Sequence, residues 1–279
     1  MSEVLDLSSN NPPPYDLAAV ARSGVVGVVL KLTEGVDYVN PAFHPAWENA
    51  KAANLFRAAY HFARPVNDPH LEALHFLRNL PTLAPGDGVV LDLEDGAGDL
   101  SAWALAWVRA VETAVGFLPL CYSYLYFIQA HLSDSALAEY PLWLAAYGPV
   151  QPATPAPWKV TTLWQYTQSG ACPGIDGNVD RSRTALDVAG LRALGKPSPA
   201  PVIPPTYRTA ARVALKTAPN HASPIAIDPS RRAVILERGS EVVPVSSTTT
   251  AGDLWRGVTI PQTPIHGYIL QKDIVEDAV

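Results

Sequence analysis

From residue 4 to residue 181 the chain alternates short apolar runs with stretches in which apolar residues recur every three or four positions. The runs VLDLS, GVVGVVLKLTE, FRAAYHFA, GVVLDLED, LPLCYSYL, PLWLAAYG, TTLWQYT and a closing GIDGNVDR are rich in β-formers and bounded by turn residues, which predicts strands. Between them, LAAVARSG starts after Asp16 and stops at Gly24, and LEALHFLRNL follows Asp68 and Pro69. These are ordinary helix start and stop signals. SAWALAWVRAVETAV, after Asp99, carries the clearest helical stripe, with Trp103 and Trp107 assigned to the core. Eight strands and several helices in about 195 residues predict the α/β class, as an irregular TIM-like (β/α) barrel. No glycine-rich phosphate loop follows the first strand, which argues against an open nucleotide-binding sheet.

The pattern breaks at GKPSPAPVIPP, whose five prolines favour an extended spacer. Residues 1–195 therefore form one predicted domain, 196–205 a linker and 206–279 a second domain. In the last, RVALKTAP, AVILERGSEVVPVSS, LWRGVTI and HGYILQKDIV read as a small all-β barrel. The composition, 48% hydrophobic and 16% charged, is that of a folded chain. A net charge of −6 argues against nucleic acid or an anionic membrane as the main partner. The acidity belongs to residues 1–205, with 12 Lys and Arg against 19 Asp and Glu; residues 206–279 hold 8 against 7. Cys121 and Cys172 imply no disulfide framework and match no metal-ligand spacing, while a single bridge between them stays open. MSEVLDLSSNN lacks the basic and apolar regions of a secretory signal, and no apolar run approaches 18 residues. Synthesis in the cytoplasm without a Sec signal, and no membrane insertion, are the expectations.

Candidate chemistry concentrates where strands end. Asp92 and Glu94 close VVLDLED with their Cα atoms ~6.6 Å apart on one strand face. In a barrel the C-terminal strand ends form the active-site rim, and like charges in a desolvated cleft raise one pKa, leaving an acid beside an ionised partner. A strand-end pair facing solvent or binding a cation is the competing reading. Asp6, Glu34 and Asp180 end further strands, so a carboxylate-lined pocket is expected, although an isolated aspartate at such a place also serves as a turn or helix cap. Tyr60, Phe62, Tyr122, Tyr124, Trp143, Tyr147, Trp164 and Tyr166 crowd the same rim. Flat rings beside carboxyls suit a sugar, whose C–H faces pack on aromatic planes while its hydroxyls bond to acids. His61 has no Ser or Cys nucleophile in a recognisable motif beside it and reads as a hydrogen-bonded pocket residue.

These residues resemble glycoside hydrolase family 25, the muramidases of phage endolysins and bacterial autolysins. The resemblance runs from residue 4 to about 194 and rests on an ordered series: DLS from Asp6, KLTEG from Lys31, YHF from Tyr60, DLE from Asp92, LWLAAYG from Leu142, LWQYT from Leu163 and GIDGNVD from Gly174. It implies hydrolysis of the β-1,4 bond between N-acetylmuramic acid and N-acetylglucosamine with anomeric retention. Glu94 takes the role of general acid/base, and Asp92 stabilises positive charge or orients the 2-acetamido group. Asp6 and Asp180 complete the acidic pocket, and Lys31, Glu34, the rim aromatics and Gln165 are expected substrate contacts. No metal or organic cofactor is implied. The opening LDLSSNNPP lacks a Trp soon after the Ser, with Tyr15 as the candidate replacement, and Ala146 stands where a polar residue is common. The second domain resembles bacterial SH3-like wall-binding modules, which implies a wall component as its partner. The place of action expected is the bacterial wall after release, through a holin if the gene is phage-borne. A non-catalytic peptidoglycan-binding protein and another N-acetylhexosamine hydrolase are the alternatives.

Overall fold

The computed structural model describes residues 1–11 and 13–196 and, beyond them, the backbone of strands between 207 and 276. The chain divides into two compact units, Met1–Pro201 and Val202–Val279. Most of the expected linker, residues 197–205, lies outside the described residues.

In the first unit the strands are β1 (Ser2–Leu7), β2 (Val25–Glu34), β3 (Tyr38–Val39), β4 (Phe56–Phe62), β5 (Gly88–Asp92), β6 (Leu120–Tyr124), β7 (Leu142–Ala145), β8 (Thr161–Cys172) and β9 (Ile175–Thr184). They lie in the order β1-β9-β8-β7-β6-β5-β4-β2-β3, and β1 also pairs with β2, so eight of them close into a barrel with β3 outside. The strand predicted in each of the eight runs is present. Seven are parallel; β9 runs antiparallel to both β8 and β1 and seals the gap between them. This departs from a regular (β/α) barrel, as does the lack of a helix between β7 and β8 or between β8 and β9.

The helices are α1 (Leu17–Arg22), α2 (Phe43–Ala52), α3 (Pro69–Asn79), α4 (Ser101–Val115), α5 (Leu125–His131) and α6 (Val188–Leu194). The Asp16 carboxylate accepts the Ala19 N–H, and that of Asp68 accepts those of His70 and Leu71, so each fills orphan donors of a first helical turn. α4 stops at Gly116, whose φ of 82° is the left-handed cap that glycine adopts without a Cβ clash. None of the helices among the described residues is long and apolar enough to cross a membrane.

Two apolar layers follow from the two-residue period of a strand. Val4, Val29, Ala58, Val90, Leu120 and Leu163 form an inner cluster, which Leu191 of α6 joins. Their chain neighbours Leu5, Val28, Leu30, Ala59, Val89, Leu91 and Cys121 face outward, where Phe76 of α3 and Trp107 of α4 bury against them. Trp107 is fully buried, and Trp103 packs against this layer with its indole N–H donating to the Asn67 carbonyl. Cys121 and Cys172 are buried free thiols.

In the second unit β10 (Tyr207–Thr209), β11 (Val213–Ala214), β12 (Ile235–Leu236), β13 (Glu241–Thr250), β14 (Asp253–Thr259), β15 (His266–Leu270) and β16 (Ile274–Glu276) are all the described elements. They make a five-stranded antiparallel sheet, ordered β15-β14-β13-β10-β16, and the two-stranded β11–β12 pair.

At the end of the barrel opposite the C-terminal strand tips, Arg57 donates through Nε and Nη2 to Asp87 at 2.8 and 2.9 Å and through Nη1 to the Trp47 carbonyl at 2.9 Å. Both charged residues are buried, and the guanidinium lies 4.1 Å from the Trp47 ring centroid. Removing one partner strands the other charge out of water. Asp87→Ala should therefore lower the unfolding free energy by ~3–5 kcal/mol, read from urea denaturation, and the apolar pair Arg57→Met with Asp87→Leu should recover most of that loss.

Candidate active site

The inward-facing positions change character toward the C-terminal ends of the strands. After Val4 comes Asp6, after Val29 Lys31, after Val90 Asp92, and after Ala58 Tyr60 and then Phe62. The antiparallel β9 brings Asp180 directly opposite Asp6 in the ladder. Asp6, Asp92, Glu94 and Asp180 thus line one cavity of about 130 Å³, together with Ser8, Asn10, Lys31, Tyr60, Phe62, Tyr122 and Trp143. Glu94 stands two residues beyond the end of β5 and still shares this cavity with Asp92.

Glu94 also belongs to the wall of a second, open groove of about 430 Å³ lined by Tyr124, Leu125, Tyr126, Ala145, Ala146, Tyr147, Val150 and Pro152. An acidic hollow and an aromatic groove therefore meet at one half-buried carboxyl. Tyr126 and Tyr147 are 76% and 54% exposed, rings available to stack on a ligand.

The four carboxyls all sit above their ordinary values. Burial pushes Asp92 well up, and the Glu94 charge adds to it while Lys31 opposes. Burial and the charge of Asp180 raise Glu94, again against Lys31. Burial and the Asp180 charge raise Asp6 well up, and burial raises Asp180. The interaction between these two raises Asp6 and lowers Asp180. One oxygen of Asp92 is buried without a hydrogen-bond partner among the described residues.

Behind this wall a row of hydrogen bonds fixes the side chains. Tyr122 Oη donates to Gln165 Oε1 at 3.0 Å, and Gln165 Nε2 donates to Asp6 Oδ2 at 3.0 Å. Across the barrel interior Trp143 Nε1 donates to Ser182 Oγ at 2.9 Å. Gln165 and Glu34 are thus partners of wall residues and are not themselves on either wall; Glu34 accepts from Lys31 Nζ at 2.6 Å. Trp164 is buried, gives its indole N–H to the Ala146 carbonyl and lines neither space. Tyr15 turns into the outer core, its hydroxyl donating to the Asn11 carbonyl at 2.7 Å, so it does not stand in for a rim Trp. His61 lies outside both walls, fully buried between Thr33 and Glu72 at 2.8 Å each and stacked on Trp107. Burial lowers its pKa despite the Glu72 contact, which keeps the ring neutral.

Sequence reading passed over Asn10, Tyr126 and Arg64. Asn10 sits in a turn without a periodic pattern, and Tyr126 in a helix of under two turns directly after β6. Arg64 carries one signal, a cation two residues beyond the inward-facing Phe62.

The raised carboxyls cost stability when ionised. Below the ordinary value of 3.8 for Asp92, folded and unfolded chains both keep the proton; as pH rises above it the unfolded chain ionises first and is favoured. Asp92→Asn should therefore raise the melting temperature at pH 7 by ~2–4 °C, and the gain should vanish below about pH 4. Calorimetry of both proteins across that range checks it.

A model described as glycosyl hydrolases family 25 matches residues 5–175. The chain is 32% identical over 168 residues to the autolytic lysozyme of Clostridium acetobutylicum, an alignment covering 59% of this chain and 50% of that protein. The bacterial lysozyme of Streptomyces coelicolor superposes with a TM-score of 0.65 at 25% identity, covering 70% of this chain and 96% of that one. The CTP1L endolysin superposes at 0.60 with 33% identity, covering 66% of this chain and 67% of that one. This chain spans half the length of the Clostridium protein. With the matched residues taking in the closed barrel up to the start of β9, and with it Asp6, Asp92 and Glu94, the chain belongs to glycosyl hydrolases family 25.

Proposed function

We propose that this protein is a muramidase that hydrolyses the β-1,4 bond between N-acetylmuramic acid and N-acetylglucosamine of peptidoglycan with retention at the anomeric carbon. The observation that carries the reading is Glu94, a half-buried carboxyl with a raised pKa standing where the acidic hollow meets the aromatic groove. A glycan laid along both spaces presents its glycosidic oxygen to that carboxyl.

Protonated Glu94 gives its proton to the leaving oxygen as the C1–O bond breaks. The carbonyl oxygen of the substrate's own 2-acetamido group attacks C1 from the opposite face, and Asp92, which has an unsatisfied oxygen, accepts the acetamido N–H. Glu94, now a carboxylate, removes a proton from water, which attacks C1 and reopens the ring of the intermediate. Two inversions give retention. Asp6 and Asp180, directly opposite each other in the ladder, place negative charge beside the developing positive one. The lysozymes and the endolysin among its relatives support this substrate class.

The test is a digest of purified peptidoglycan, reduced with borohydride and read by mass spectrometry. Wild type should yield new reducing-end muramic acid, with the β-anomer formed first in a proton NMR time course of the unreduced digest, and Glu94→Gln should lose at least ~10²-fold in rate while melting no lower than wild type. A new reducing end on glucosamine would favour another N-acetylhexosamine hydrolase; no cleavage on several wall types would favour a binding protein.

The second unit is proposed as an SH3-like module that binds a wall component and raises the local substrate concentration. Removal of residues 206–279 should weaken binding to whole walls while cleavage of soluble glycan persists, measured by sedimentation and by product release; unchanged sedimentation would exclude the role. The setting proposed is phage lysis, with synthesis in the cytoplasm and holin-dependent release to the wall. A holin gene beside this one is the expected finding, and a chromosomal locus without one would favour an autolysin.

A further inference from the structure

Beside the acidic hollow, four side chains form a continuous line of alternating charge. Lys31 Nζ donates to Glu34 Oε2 at 2.6 Å. Arg64 donates through Nε and Nη2 to Glu34 Oε1 at 2.9 and 2.6 Å, and through Nη1 to Asp95 Oδ2 at 2.6 Å. Glu34 ends β2, Arg64 follows β4, and Asp95 follows Glu94 beyond β5, so one guanidinium ties three neighbouring strand ends together. Such charge-assisted bonds at a planar fork are directional, which a lysine at the same place does not reproduce.

Arg64 is itself held from behind and from the side. Its backbone N–H donates to the buried Glu72 carboxylate at 3.0 and 3.1 Å, and that carboxylate also receives Asn67 Nδ2 at 2.8 Å. The guanidinium lies 4.7 Å from the Phe62 ring centroid, and Lys31 Nζ lies 4.7 Å from the same centroid. Phe62 is a wall of the acidic hollow. Against the upward pull of burial, the bonds from Lys31 and Arg64 hold Glu34 below its ordinary value and keep it anionic.

We propose that Arg64 is a positioning residue: by bridging Glu34 and Asp95 it holds Lys31 at the hollow, neutralises the carboxylate next to Glu94, and so sets the pH range over which Glu94 exchanges its proton. This rests on Glu94 being the general acid/base. The charged groups that face Glu94 are Asp92 of its own strand end, Asp180 of β9, Asp6 of β1, Lys31 of β2 and its neighbour Asp95, with the hydroxyls of Tyr60 of β4, Tyr122 and Tyr147 nearby. Lys31 pulls its pKa down and Asp95 pushes it up, so one arginine that anchors the first and masks the second governs both.

The decisive experiment is a carbon-13 carboxyl titration of Glu94 by NMR in the full chain, run beside the pH dependence of glycan cleavage. Arg64→Gln should move the Glu94 midpoint and the alkaline limb of kcat/KM up by ~0.5 pH unit, the size expected of partly exposed charges, and Asp95→Asn should move both down by a similar amount. The double variant should return near wild type, and ~1 M salt should shrink every shift. Arg64→Lys should restore most of the midpoint but not kcat, because the charge returns without the fork. A purely structural Arg64 would shift neither midpoint, or both variants would shift it the same way, and either result overturns the proposal. If Arg64→Gln does not fold, Arg64→Lys decides: a lowered kcat with the midpoint near wild type supports the proposal, and an unchanged kcat overturns it. Glu94→Gln losing cleavage while the midpoints stay put overturns this inference alone; Glu94→Gln cleaving normally overturns the acid/base reading beneath it.

Discussion

The site depends on one geometric constraint, the two-residue period of side chains in a sheet that closes on itself. Once Val4, Val29 and Val90 point inward, Asp6, Lys31 and Asp92 must do so too, and closure brings them together at one end of the barrel. A one-residue slip of any strand would turn its acid or its lysine out against the helices. The inner apolar cluster therefore does more than fill space. By fixing each strand's register it forces four carboxyls into a volume where burial and neighbouring charges raise their pKa values.

That arrangement is costly, and the antiparallel β9 shows how the cost is contained. A further parallel strand between β8 and β1 would carry its C-terminal end to the site. β9 instead presents Asp180, near the middle of its length, opposite Asp6, and Ser182 below it for the Trp143 indole. Burial raises both Asp6 and Asp180, and the Asp180 charge raises Asp6 further, so the two titrate as a pair. Lys31 of the neighbouring β2 supplies a positive charge to the hollow, and Glu34 and Arg64 keep it from being an isolated buried ion.

Much of this was legible in the sequence because a strand buried on both faces reads as an apolar run, and the polar residues that interrupt it fall at its end. The eight strands and the acids Asp6, Asp92, Glu94 and Asp180 were found this way. The helices α2, α5 and α6 were not: LYFIQAH and VAGLRAL are each under two turns long, and FHPAWENAKA holds a proline in its first turn. Strand direction has no local signature, so nothing in GIDGNVDR marks β9 as antiparallel. Trp164 was assigned to the rim because it is an aromatic near a predicted strand end. The period excludes it, since Leu163 and Gln165 face the interior and the residue between them must face away.

Parity also explains why the aromatic groove escaped a full reading. Beyond the last ladder bonds the alternation ends, and Tyr126, Tyr147 and Val150 are placed by loop and helix geometry that depends on which strand lies next door. The acidic hollow is written in strands and the groove in connections, and Glu94, just past the end of β5, is where the two descriptions meet. A residue in that position inherits its direction from the strand and its freedom from the loop. That carboxyl is thereby turned into the hollow while the loop bearing it takes its footing from Asp95 and Arg64.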